Sequence, residues 1–220
     1  MKKIGIDING VLRDTIGKFS QLYEKHFIDS IDEPYLGQTF ELDISGNTEL
    51  IVEEEVKFKY EKISEVTSLE LDKHFSFQNK EELFDFMYEE YAMELFGHSP
   101  SSELLTFNIL NELYLNLRDD HNFIIISNEI SKSKPASLFF LSKFGCLLEK
   151  VMFYNEKTKN DMWDEVDILL TSNPTLLLNK PSNKTLVKYK TSYNEGIGSD
   201  YEISSLSEFE KIISEIEKND

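Results

Sequence analysis

Arginine is nearly missing from this chain of 220 residues: Arg13 and Arg118 are the only two, and every other cation is a lysine. A fork-like clamp on phosphate or carboxylate would therefore have to use one of these two side chains, and Arg13 is the one to watch. Positive charge of any kind is scarce. The 23 Lys and Arg face 41 Asp and Glu, a formal net charge of −18, which opposes binding to a nucleic acid polymer while leaving a small phosphorylated ligand open. Cysteine is reduced to Cys146, so an intrachain disulfide and a cysteine-rich zinc site are both excluded, and the thiol reads as a small buried hydrophobe. No apolar run reaches the roughly 18 residues of a membrane span. The opening Met1-Lys2-Lys3-Ile4 leads into an apolar run ended by Asp7, too short for a signal peptide, and the expectation is a soluble cytoplasmic protein. Neither Gly-x-Gly-x-x-Gly nor a P-loop occurs, and Gly196-Ile197-Gly198-Ser199 reads as a plain loop. His26, His74, His98 and His121 lack the spacing of metal ligands. Internal repeats, linkers and low-complexity tracts are absent too.

What is present suits a packed globule, with 40% hydrophobic residues in a length that fits one domain, or one domain carrying an insertion. Apolar, β-branched runs at Ile4 to Ile8, Phe123 to Ser127, Val151 to Tyr154, Ile168 to Thr171 and Thr185 to Tyr189 predict strands. Helical patterns at Lys134 to Phe144, stopped by Gly145, and at Ser207 to Ile216 lie among or after them. Alternation of this kind predicts an α/β fold, a parallel sheet sandwiched by helices, with ligands at the carboxyl ends of the strands. Asp7, Ser127 and Thr171 fall at such ends. Residues 17–100 read differently, with helical periodicity at Lys18 to Phe27, Glu49 to Ile63 and Glu81 to Phe96. They are expected to form an inserted helical cap, leaving 1–16 and 101–220 as the core domain. Asn79 and Glu82 fit a capping box, Ser99-Pro100 fits a helix start, and Glu53-Glu54-Glu55 fits a solvated face. Phe84, Phe86, Tyr88, Tyr91 and Phe96 recur at helical spacing, which suits a core or the wall of a pocket.

The segment Ile4-Gly5-Ile6-Asp7-Ile8-Asn9-Gly10-Val11-Leu12-Arg13-Asp14 resembles the first motif of the haloacid dehalogenase (HAD) superfamily. The resemblance extends to about Asn194, and with it comes a Rossmann-like core with an inserted cap. It implies Asp7 as nucleophile in covalent phosphoryl transfer, with Asn9 standing where a phosphatase has its second aspartate. An amide there cannot donate and recover a proton, although the backbone carbonyl of residue 9 keeps its family role of holding Mg²⁺. Ser127 and Asn128 match the second motif, which holds phosphoryl oxygens. Lys157 or Lys159, with Lys134 as a weaker choice, are candidates for the charge-balancing lysine, and Arg13 for substrate binding. In Asp167-Ile168-Leu169-Leu170-Thr171-Ser172-Asn173-Pro174 the frame of the fourth motif persists, but Thr171 and Ser172 occupy its two acidic, metal-binding places. Asp167 begins that strand, about 13 Å from its carboxyl end, and is too far to substitute.

The resemblance thus implies a phosphatase-like protein, nearest to 5′-nucleotidases, acting on or binding a small phosphorylated metabolite with activity reduced or lost and Mg²⁺ binding weakened. Two alternatives stand beside it. One is a non-catalytic pseudo-enzyme, a binding or regulatory module with a protein partner. The other is a metal-independent hydrolase of the dehalogenase type, to which Ser127-Asn128 and Ser172-Asn173 are similar in kind.

Overall fold

The computed structural model describes residues 1–29, 41–42, 48–49, 58–62 and 65–219. Its centre is a six-stranded, all-parallel sheet built from β1 (Lys3–Asp7), β4 (Asn122–Asn128), β5 (Val151–Tyr154), β6 (Ile168–Thr171), β7 (Thr185–Tyr189) and β8 (Tyr201–Ile203). The order across the sheet is β5-β4-β1-β6-β7-β8. A separate two-stranded pair, β2 (Glu41–Leu42) and β3 (Thr48–Glu49), runs antiparallel. Five of the six strands of the large sheet coincide with the apolar runs of the sequence. The sixth, β8, is a three-residue edge strand whose Tyr201-Glu202-Ile203 is too short to show a period.

Strands covered on both faces should alternate between two apolar layers, and these do. Ile4, Ile6, Phe123, Ile125, Ile168, Leu170 and Val187 point into one core together with Phe107 and Leu110 of α3 (Thr106–Leu117), Phe140 of α4 (Ser133–Lys143) and Ile213 of α7 (Phe209–Asn219). Their neighbours Ile124, Ile126, Leu169 and Leu186 point into the other, against Met162 and Trp163 of α5 (Lys159–Asp164) and Leu176 of α6 (Pro174–Leu178). Gly5 faces this second layer, where a Cβ would sit 2.7 Å from Val166 Cγ1, so the connection between α5 and β6 approaches β1 closely at the centre of the sheet.

A third apolar cluster lies outside the sheet. Phe19, Leu22 and Tyr23 of α1 (Thr15–Tyr23) pack with Phe75, Phe86, Leu95 and Phe96 and reach the core through Ala136 of α4. Its rings meet edge-on, as with Phe19 on Phe75 at 4.8 Å and on Phe86 at 5.5 Å. Of the aromatic series, Phe86, Tyr88, Tyr91 and Phe96 join this core and Phe84 is exposed, while Tyr88 and Phe96 also wall a cavity.

Helices here are shorter than the periodicity predicts. α2 (Lys80–Asp85) starts at Asn79, whose side chain accepts from the Glu82 amide at 2.9 Å, then gives way to wide i→i+5 turns at Phe86–Glu90 and Met93–Gly97. Another such turn, Glu24–Ile28, ends α1. Such turns insert a residue and rotate the side chains beyond it. Ser99-Pro100 does not start a helix. Ser99 is bonded back to the Leu95 carbonyl, Pro100 O accepts from Asp14 N at 3.1 Å, and α3 begins only at Thr106. Within the range Glu49 to Ile63, Glu49 is in β3 and 58–62 are not helical; the rest of that range, with Glu53-Glu54-Glu55, lies outside the described residues. No helix among the described residues is long and apolar enough to cross a membrane.

Candidate functional site: a buried carboxylate cluster at the strand ends

Asp7 ends β1 between β4 and β6, so parallel pairing brings its carboxyl beside the ends of both neighbours. It is 2% exposed. Thr171, at the end of β6, donates its hydroxyl to Asp7 Oδ2 at 2.7 Å. Burial pushes the Asp7 carboxyl up to about 7, and the charge of Glu129 adds to this against the Thr171 hydroxyl and the backbone amides of Asn9 and Ile8.

The turn after β1 is closed by three amides, those of Val11, Leu12 and Arg13, on the carbonyl of Ile8. Gly10 makes it with φ +72°, the left-handed region that favours glycine, and a Cβ there would lie 1.8 Å from the Tyr193 hydroxyl. This turn sends Arg13 back under Asn9. Arg13 is wholly buried, and all five of its N–H groups are used inside the protein. Nη2 donates to Asn9 Oδ1 at 2.6 Å and Glu129 Oε1 at 2.7 Å, Nη1 to the Phe96 carbonyl at 2.6 Å and Ser137 Oγ at 2.8 Å, and Nε to Thr15 Oγ1 at 3.2 Å. The rings of Phe96 and Phe140 flank it at 5.0 and 5.2 Å.

Glu129, 1% exposed, is the hub of this network. Its Oε1 accepts from Arg13, from Ser127 Oγ at 3.0 Å, from Ser137 Oγ at 2.9 Å and from Asn9 Nδ2 at 3.2 Å. Its Oε2 is buried without a hydrogen-bond partner among the described residues. Sequence reasoning missed this residue; the only signal was an acidic side chain two positions past the end-of-strand serine, in a chain where acids abound.

Several expectations for the site change. Arg13 cannot clamp a substrate, because it has no donor left. Ser127 is buried at 0%, donates to Glu129 and accepts from Asn9 Nδ2 at 3.1 Å, so its hydroxyl is spoken for. Lys157 is exposed and Lys159 half-buried, and neither lines the cavity beside Asp7; exposed Lys134 does not either. Asn9 keeps its place, with both ends of its amide engaged. Ser172 donates to the backbone carbonyl of Asn9 at 2.9 Å and shares a hydrogen bond with the Tyr193 hydroxyl, also 2.9 Å. The hydroxyls of Thr171 and Ser172 thus donate to Asp7 Oδ2 and to the Asn9 carbonyl. Asn173 and Pro174 then turn the chain into α6, with Asn173 Oδ1 capping the Thr175 amide at 2.9 Å.

Above Asp7 opens a cavity of about 240 Å³. Asn128, Ser172, Asn173 and Tyr193 line it from the sheet side, and Leu69, Leu71, Met87, Tyr88 and Phe96 from the outer cluster. No lysine or arginine among the described residues lines it. Burial, reinforced by Glu129, pushes the Tyr88 phenol up to about 12, so it stays a neutral donor.

The backbone superposes on that of a haloacid dehalogenase-like family hydrolase from Xanthomonas campestris with a TM-score of 0.51, covering 100% of this chain and 97% of the other at 8% sequence identity. The fold is HAD-like. No protein-family model and no curated protein sequence matches the chain. At 8% identity the likeness carries the HAD-like architecture alone, and chemistry has to be argued from the side chains.

Proposed function

We propose that this HAD-fold chain binds a small, non-phosphorylated molecule over Asp7 and does not carry out Mg²⁺-dependent phosphoryl transfer. One observation supports this above the rest: Thr171 and Ser172 donate to Asp7 Oδ2 and the Asn9 carbonyl, the acceptors that Mg²⁺ would need. Mg²⁺ demands close octahedral oxygens, usually with one or two carboxylates. Here a single carboxyl, pushed up to about 7, stands among neutral hydroxyls and amides, and no group of three His, Cys, Asp or Glu able to hold a metal occurs among the described residues. The donor set does not fit the ion.

A phosphorylated ligand, the expectation from the motif resemblance, is disfavoured on the same grounds. Phosphate recognition rests on cations or converging amides, and the cavity offers a buried carboxyl with no lysine or arginine among the described residues. In this reading the outer cluster serves as a cap, its Leu69, Leu71 and Met87 supplying apolar contact to the ligand.

A second reading, metal-independent hydrolysis, draws on Asp7 itself. Its carboxyl lines the cavity, and although burial pushes it up to about 7, its ionised form is a potential nucleophile. Turnover of p-nitrophenyl phosphate, nucleoside monophosphates and 2-haloacids, with Mg²⁺ and with EDTA, separates the readings. We expect no turnover under any condition. Phosphate release that needs both Mg²⁺ and Asp7 overturns the proposal, and EDTA-resistant haloacid turnover lost in Asp7→Asn moves the assignment to the second reading.

A further inference from the structure

Asp7 and Glu129 are both buried acids, Arg13 is the one buried cation beside them, and Arg13 is committed to Glu129 at 2.7 Å. One acidic charge is therefore left without a protein counter-ion, and it sits at Asp7, the member of the set that lines the cavity. Thr171 and Ser172 offer it and the Asn9 carbonyl only neutral hydroxyl donors, and no lysine among the described residues lines the cavity. A buried charge in that position calls for a partner cation or a proton. The cavity also offers two tyrosine rings, Tyr88 and Tyr193, and the thioether of Met87, surfaces that suit an organic cation. The net charge of −18 favours cations in the surrounding solution.

We propose that the cleft is a binding site for a small organic cation, an amine or quaternary ammonium, whose charged nitrogen seats against the Asp7 carboxylate between Tyr88 and Tyr193. This deepens the proposed function and rests on it, since a site that took Mg²⁺ would have no charge left to offer. The side chains of Asn128 and Asn173 add polar groups to the lining, although Asn173 Oδ1 is held by the Thr175 amide. A volume near 240 Å³ admits a ligand well below drug size. The charged and titratable groups acting around Asp7 are Glu129, Arg13, Tyr154 and Tyr193. Burial keeps both tyrosines neutral.

Calorimetric titration of the intact chain with benzylamine, its neutral counterpart benzyl alcohol, inorganic phosphate and potassium chloride tests the idea. At pH 8 benzylamine should bind at least about tenfold more tightly than benzyl alcohol. Asp7→Asn should abolish the preference, and Tyr88→Leu should weaken benzylamine severalfold. Equal affinity for amine and alcohol, no amine binding, displacement of the amine by equimolar potassium, or tighter binding of phosphate would each overturn the proposal. A preference that survives Asp7→Asn in a chain whose melting shows it folded overturns it as well. Failure here is separable from failure of the proposed function: Mg²⁺-dependent turnover sinks that reading whatever the amine does. A chain inactive with Mg²⁺ and indifferent to amines leaves that reading standing and removes this one.

Discussion

Replacing Arg13 by methionine should remove more stability than any single change at the rim of the cleft. The guanidinium is at 0% exposure, and so is the side chain of Glu129. Truncating one partner of a fully buried, hydrogen-bonded pair typically costs about 3–5 kcal/mol, because the other charge is left without compensation in a medium that solvates it poorly. Here Glu129 would retain Ser127, Ser137 and Asn9 as neutral donors to Oε1 while Oε2 stays unpaired. The Phe96 carbonyl would lose its Arg13 donor, which ties the turn after β1 to the outer cluster. For a chain of this size, about 4 kcal/mol corresponds to a fall of roughly 8–16 °C in Tm. Urea unfolding of Arg13→Met, Glu129→Gln and the double variant forms the appropriate cycle. The double variant should be markedly more stable than the sum of the two single losses predicts, since it leaves no bare charge. A single loss below about 1 kcal/mol, the range of surface pairs, or strict additivity in the cycle would refute the reasoning.

Asp7 gives a pH-linked test. Its folded-state pKa of about 7 lies above the ordinary carboxylate value of 3.8, so the folded chain holds a proton that the unfolded chain releases. Stability should therefore fall as pH rises from about 4 to 7 and level off above, by on the order of 4 kcal/mol, and Asp7→Asn should remove that slope and stabilise the protein at pH 8 but not at pH 4; a wild-type profile flat across this window argues against the shift. Gly10→Ala should cost at least about 1–2 kcal/mol through its positive φ alone, and more because its Cβ meets the Tyr193 hydroxyl and Ser172 Oγ, read as lowered urea midpoint. Lys157→Ala and Lys159→Ala should change stability by no more than about 0.5 kcal/mol and leave amine binding untouched, because neither side chain reaches the cleft; loss of binding in either would restore the charge-balancing role expected from the motif resemblance.

The sequence by itself determined the sheet. Runs such as Phe123-Ile124-Ile125-Ile126 and Ile168-Leu169-Leu170 are apolar at every position, which suits strands buried on both faces, and a parallel sheet gathers the residues at their carboxyl ends along one edge. Asp7 and Thr171 were therefore legible as neighbours from the chain alone, and their hydrogen bond is the outcome. The replacement of acids by Thr171 and Ser172 was equally legible, being a matter of residue identity within a spaced frame.

Tertiary structure alone decided what each polar side chain faces. Arg13 stands in a motif-like segment and reads as a clamp for a ligand; the left-handed turn at Gly10 folds it inward, where Glu129, 116 residues away, takes its charge. That pairing has no local periodicity, and among 41 acids nothing in the chain marks Glu129 as the partner. Lys157 and Lys159 lie upstream of β6 as expected of the candidates, yet Lys157 sits exposed in the turn before α5, Lys159 at the start of α5, and neither lines the cleft. The helices expected within residues 17–100 were over-extended for a related reason: hydrophobic spacing reports which residues are buried, not the wide turns at Phe86–Glu90 and Met93–Gly97, of which the second packs against α4. Burial is additive along a sequence and can be read from it. Charge pairing depends on which distant groups folding brings within a few ångströms, and so the counter-ion missing at Asp7 became visible only in three dimensions.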